Sequence, residues 1–216
     1  MRIIALVTQK GGSGKSTIAS SLAVAAAEAG EKVIVVDMDP QASLTRWSRA
    51  RKDTNIGVTA IAPGKLPNAL TAMEKAGITL VVIDTPGTDS IASASAMKVA
   101  DLCIIPARPN AFDLWASETT RKQLRSLRKE YAFLLNQCPP AQQSARVEQG
   151  VEALEAMGGL LNPLIRSRVD YQEATRLGLG VTELHASGEA AEEIRKLWSS
   201  LKRRMNKGKA PVRKAA

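Results

Sequence analysis

Arg2-Ile3-Ile4-Ala5-Leu6-Val7-Thr8-Gln9-Lys10-Gly11-Gly12-Ser13-Gly14-Lys15-Ser16-Thr17 is the stretch that decides the fold of this chain. A short apolar run stops at a glycine-rich loop, and the loop opens straight into a small-residue stripe carried by Leu22, Ala23, Ala26 and Ala27. Glycines let the backbone curl tightly enough for successive N–H groups, and the positive end of the helix that follows, to converge on an anion. Strand, loop and helix in that order are the setting a phosphate-binding loop requires. Lys15 then reaches the outer phosphates of a nucleotide and the Ser16 hydroxyl ligates Mg2+. The helix is expected over about residues 15–29, with Gly30 as its C-terminal cap.

Further apolar runs recur along the 216 residues at 33–36, 58–61, 78–83, 102–106, 132–135 and 160–165, with helix-like segments between them. Several are apolar throughout, as parallel strands covered on both faces must be. The expected fold is α/β: a doubly wound, mostly parallel sheet with helices on both faces, and a ligand site at the carboxyl ends of the strands. One domain is expected over residues 1–206. Its last helix should run from an N-cap at Ser187 to about Met205, followed by a basic, disordered tail at 207–216.

Two of these strands end in carboxylates. Leu80-Val81-Val82-Ile83 leads into Asp84-Thr85-Pro86-Gly87, where an acid at a strand tip next to the loop holds the magnesium, usually through water. Val35-Val36-Asp37-Met38-Asp39 places two acids one residue apart, on the same face if the strand continues. That spacing suits one acid supporting the metal and the other orienting the attacking water.

Charge is concentrated at the end of the chain. The formal net charge is +9, yet residues 195–216 hold nine Lys/Arg and no acid, leaving 21 basic against 21 acidic residues elsewhere. Such a segment favours polyanions. The two cysteines, Cys103 and Cys138, lack metal-type spacing and suggest a reduced, cytoplasmic setting. No signal peptide or membrane span is expected. Trp47, Trp115 and Trp198 are expected to pack inside the fold, and the sole histidine, His185, is assigned no metal or general-base role.

Lys10-Gly11-Gly12-Ser13-Gly14-Lys15-Ser16, with its extra leading lysine, resembles the deviant Walker A loop of the ParA/MinD ATPase family. The order of the later motifs is similar too: Val35-Val36-Asp37-Met38-Asp39-Pro40-Gln41, then Val81-Val82-Ile83-Asp84-Thr85-Pro86, then residues 104–113 and 165–183. The resemblance spans about residues 1–205. It implies ATP and Mg2+ as ligands, with Gly11, Gly12, Ser13, Gly14, Lys15, Ser16 and Thr17 cradling the nucleotide and Asn136 contacting adenine. It implies that Lys10 crosses to the phosphates of a second subunit in an ATP-sandwich homodimer, and that Gly11 allows close approach there. It places Ser16, Asp37 and Asp84 around the metal and Asp39 on the attacking water.

The same resemblance implies a short partition or positioning ATPase, weak alone and stimulated by a ParB-like or other adaptor. It would ride on non-specific DNA of the nucleoid and move a plasmid, a chromosome or a large protein cargo. With the loop beginning at residue 10, no N-terminal helix-turn-helix is expected. Arg121, Arg125, Arg166, Arg168, Lys202, Arg203 and Arg204 are the candidate phosphate contacts on DNA. The alternative is a MinD-like membrane-associated ATPase, because Ile194, Leu197, Trp198, Leu201 and Met205 share a face of the last helix with basic neighbours. Packing of that stripe on the sheet is the preferred reading, so a membrane partner is not expected.

Overall fold

Five of the six strands of the sheet alternate their side chains between two separate cores. In the computed structural model, which describes residues 1–140 and 144–207, the strands are β1 (Arg2–Leu6), β2 (Val33–Asp37), β3 (Gly57–Ala60), β4 (Leu80–Asp84), β5 (Leu102–Ala107) and β6 (Tyr131–Leu135). All pairings are parallel, in the order β3-β2-β4-β1-β5-β6. Ile4, Leu6, Leu80, Val82, Leu102, Ile104 and Leu134 face one core, while Ala5, Val7, Val81, Ile83, Cys103, Ile105 and Phe133 face the other. This period of two explains why the central runs are apolar throughout: each face has its own helical cover. The expected doubly wound α/β sheet is the fold observed.

On the first face lie α1 (Lys15–Glu28), α2 (Ser43–Ala50), α7 (Val169–Arg176), α8 (Val181–Leu184) and α9 (Glu189–Lys207). On the second lie α3 (Leu66–Lys75), α4 (Ile91–Val99), α5 (Ala111–Ser126) and α6 (Ala145–Met157). Helix α1 is buried along most of its length and packs against α9. It ends as its sequence predicts, with the Gly30 N–H donating to the Ala27 carbonyl at 2.9 Å and the Glu31 N–H to Ala26 at 3.0 Å. The start of α9 differs by one residue: Gly188, not Ser187, accepts the first helical bond, from the Glu192 N–H at 3.0 Å.

The run 160–165 does not form a seventh strand. It follows β6 through bonds such as Leu161 N–H to the Phe133 carbonyl at 2.8 Å and Ile165 N–H to Leu135 at 3.0 Å, leaving only isolated bridges. Pro163 has no N–H to donate in the middle of the run, so a continuous ladder is broken there. Lys207 closes α9, and the rest of the expected basic tail, 208–216, lies outside the described residues.

Candidate nucleotide site

The C-terminal tips of β1, β2 and β4 meet at one cleft of about 710 Å³, lined among others by Gly12, Lys15, Ser16, Asp39 and Gly87. The loop after β1 forms its floor. Helix α1 begins at Gly14 without a side-chain cap, so its first N–H groups face the loop and can serve an anion. Gly14 has φ 87°, and a Cβ there would collide with the Asn136 amide. That approach is bonded: Asn136 Nδ2 donates to the Ser13 carbonyl at 2.8 Å, and Gln137 Nε2 donates to the Gly12 carbonyl at 3.0 Å. Asn136 therefore braces the loop with the amide that sequence reasoning directed at adenine.

Lys15 is buried and bends back over the loop, its Nζ 3.4 Å from the Lys10 carbonyl. Burial lowers its pKa, against the pull of the Asp84 and Asp39 carboxylates. The Ser16 hydroxyl donates to Asp84 Oδ2 at 2.6 Å. The other oxygen of Asp84, Oδ1, is buried without a hydrogen-bond partner, and so is the Ser13 hydroxyl. Burial pushes the Asp84 carboxyl up to about 7, although Ser16 and Lys15 oppose this. A hydroxyl and a carboxylate in contact, with one carboxylate oxygen unsatisfied and an ammonium nearby, are the donor set that suits a hard cation bridging to phosphate. These residues therefore fit Mg2+ and a nucleotide.

The two acids of the β2 end part company. The strand stops at Asp37, whose Oδ2 accepts from the Thr45 N–H at 2.8 Å and the Thr45 hydroxyl at 2.9 Å, tying it to the first turn of α2. Asp39 sits in the turn beyond, accepts the Gln41 N–H at 2.9 Å and lines the cleft. The structure thus brings Asp39 to the cleft wall, ties Asp84 to the cleft residue Ser16, and sets Asp37 beside Asp84 with its carboxylate held by Thr45.

Gln137 and Gly87 are two further residues that touch the phosphate loop. Gly87 presses on it so closely that a Cβ would lie 2.9 Å from the Gly11 Cα. Lys10, in contrast, does not line the cleft: its Nζ lies 5.9 Å from the ring centre of Phe112, at the start of α5. Phe112 and Trp115 stand edge to face at 5.5 Å and are 68% and 63% exposed, so Trp115 is not the packing residue expected, whereas Trp47 and Trp198 are buried.

Residues 1–149 match the AAA domain family model. The chain is 32% identical to the maintenance of carboxysome distribution protein A of Gloeobacter kilaueensis, over 94% of this chain and 94% of that protein. It is 30% identical to its namesake in Halothiobacillus neapolitanus, over 90% and 93%. The chain belongs to the ParA/MinD family of ATPases.

The fold of this ParA/MinD-family ATPase is that of MinD from Pyrococcus horikoshii, complexed with Mg-ADP, at a TM-score of 0.77 and 21% identity, covering 98% of this chain and 99% of that one. As a family member it is a P-loop enzyme that hydrolyses nucleotide. Both of its cysteines are fully buried, which pushes the Cys103 thiol up to about 12 and the Cys138 thiol up to about 11. The apolar stripe of α9 is spent inside the domain, with Ile194, Leu197, Trp198, Leu201 and Met205 all in the core beside α1. Among the described residues, no helix is long and apolar enough to cross a membrane.

The candidate DNA contacts of the ParA/MinD-family chain fall into three groups. Arg168 is bound by Glu189 and Glu193, and Arg166 donates to the Pro139 carbonyl at 2.7 Å, so both are tied into the protein. Arg121 and Arg204 sit on opposite faces of the sheet yet meet at the edge strand: Arg121 Nε donates to the Tyr131 hydroxyl at 3.0 Å and Arg204 Nη2 to the Tyr131 carbonyl at 2.8 Å. Arg125 and Arg203 are exposed, while Lys202 lies 3.9 Å from Glu31.

Proposed function

We propose that the chain is an ATP-driven positioning motor that cycles between an ATP-closed homodimer bound to DNA and a released form. The observation that carries this reading is the division of labour between its two loop lysines. Lys15 is buried in its own cleft, whereas Lys10 is not among the residues that line it and has its Nζ near the exposed Phe112. A lysine placed outside its own phosphate site is available to the phosphates of a second copy, where it offsets charge that develops on the transferred phosphoryl group.

ATP with Mg2+ supplies the phosphoanhydride and the charge neutralisation that hydrolysis needs. The chain's own part is to bind and to orient. Lys15 and the N-terminus of α1 hold the phosphates, Ser16 and Asp84 hold the cation, and Asp39 orients the attacking water. Asp37 acts beside them by fixing α2. Gly87 and Gly11, in contact, link the loop after β4 to the phosphate loop, so that a change at one moves the other.

For the DNA-bound form, the favoured surface is the β6 edge, where basic residues from both sheet faces converge on Tyr131. Contacts confined to phosphates give affinity without sequence preference, and two copies double the patch. A large protein assembly is the favoured cargo class. The relatives matched along nearly the whole chain are named for carboxysome distribution, whereas the ParA of Caulobacter vibrioides is matched over 53% of this chain. A basic adaptor that stimulates hydrolysis completes the cycle.

Light scattering on Asp39→Ala with MgATP tests the reading. A dimer that reverts to monomer when Lys10→Ala is added is expected, and a monomer in both variants contradicts it.

A further inference from the structure

The phosphate loop is braced by Asn136 and Gln137, which donate to its carbonyls. Arg108, the residue after β5, reaches the same loop without bonding to it. Its Nη1 lies 3.6 Å from the point where a Cβ on Gly12 would sit. The rest of the guanidinium is committed elsewhere: Nε and Nη2 donate to the two carboxylate oxygens of Asp113 at 2.9 and 3.1 Å. Asp113 is 1% exposed, in the first turn of α5, and its own N–H donates to the Asn110 side chain at 3.0 Å.

A guanidinium forked onto a buried carboxylate has its plane fixed, because Arg presents its donors in a rigid array. The third nitrogen is then fixed as well. Among the described residues Nη1 makes no hydrogen bond, and the side chain, 32% exposed, stands beside Gly12, a residue that lines the cleft. Lys15, assigned above to the phosphates, folds its Nζ back to within 3.4 Å of the Lys10 carbonyl, on the same loop that Arg108 approaches at Gly12.

We infer that Arg108 is a further nucleotide-binding residue, whose Nη1 donates to an oxygen of the terminal phosphate of ATP from within the same subunit. Asp113 is its positioning residue. The inference rests on the ATP reading above and adds a ligand preference: a contact to the terminal phosphate favours the triphosphate over the diphosphate. A pair that merely closed the first turn of α5 would give no such preference.

Calorimetric titration of the full chain with ATPγS and with ADP, each with Mg2+, separates the two roles. Arg108→Gln should weaken ATPγS about tenfold, the size of one hydrogen bond between charged groups, and ADP less than about threefold. Arg108→Lys cannot form the fork and should show the same ATPγS-selective loss, which keeps the test readable if Arg108→Gln does not fold. Equal loss of both nucleotides, or loss of neither, overturns the inference. Lys15→Ala runs alongside: if it binds both nucleotides like the wild type, the ATP reading itself fails. If it loses them while the Arg108 variants show no selectivity, only the role of Arg108 fails.

Discussion

The Ser16 hydroxyl donates to Asp84 Oδ2 at 2.6 Å and so joins the first turn of α1 to the tip of β4. The contact leaves Asp84 Oδ1 buried without a partner. In the nucleotide-free protein, this carboxyl has a measurable consequence.

Burial holds Asp84 protonated up to about pH 7, with Ser16 and Lys15 opposing and Asp37 and Asp39 adding to the upward push. A carboxyl whose folded pKa lies above its unfolded value contributes stability that is complete below about pH 4 and lost as pH rises through the folded value. The melting temperature of the nucleotide-free wild type should therefore fall more steeply from pH 5 to pH 8 than that of Asp84→Asn, which cannot ionise. Parallel slopes in thermal melts would refute the assignment.

Asn136 is buried and holds the Ser13 carbonyl at 2.8 Å. Its replacement by alanine leaves that carbonyl without its donor, at a cost of about 1–3 kcal/mol. Urea unfolding should register this loss, and the loosened loop should bind ADP more weakly. An Asn136→Ala protein as stable as wild type would mean that water takes over the bond.

Arg51 and Glu183 fasten α2 to the α7–α8 corner. The Arg51 side chain is 2% exposed, 2.6 Å from Glu183, and donates to the Gly178 carbonyl at 3.0 Å. Truncating Glu183 to alanine leaves a buried guanidinium without its counter-charge, though still bonded to the Gly178 carbonyl and Asn55, at a cost of about 3 kcal/mol, the lower end for a broken buried pair. Chemical denaturation should show a fall of that order, with ATP affinity at saturating protein stability little changed. A loss below about 1 kcal/mol would show that the pair is solvated like a surface bridge.

The cleft residues separate binding from chemistry. Lys15→Ala should lose nucleotide binding. Asp39→Ala should keep it and hydrolyse ATP about 100-fold more slowly, the lower range for loss of a group that orients or activates water. Single-turnover assays with pre-bound ATP distinguish the two, and normal turnover by Asp39→Ala would remove it from the reaction.

The parts of this molecule legible in its sequence are those governed by short-range rules. The loop from Gln9 to Thr17, the helix it opens and the Schellman closure at Gly30 follow from local backbone demands, and the central β-runs follow from being apolar throughout, as strands covered on both faces are. The exceptions have equally physical causes. Pro163 interrupts a run that composition alone reads as a strand. Asp37 and Asp39 share a face only while the strand lasts, and Thr45 captures the first of them. Trp115 lies at helical spacing but on the outward side of α5. Strand order, the fork between Arg108 and Asp113, and the meeting of Arg121 with Arg204 at Tyr131 depend on contacts between distant segments, which no periodicity encodes.

Binding to random-sequence duplex DNA at about 0.15 M salt, measured with ADP, with ATP and with ATP plus Asp39→Ala, tests the central claim most directly. The account predicts binding that requires ATP, is strengthened by Asp39→Ala and survives truncation after Met205 in weakened form. Binding indifferent to nucleotide and abolished by that truncation would contradict it.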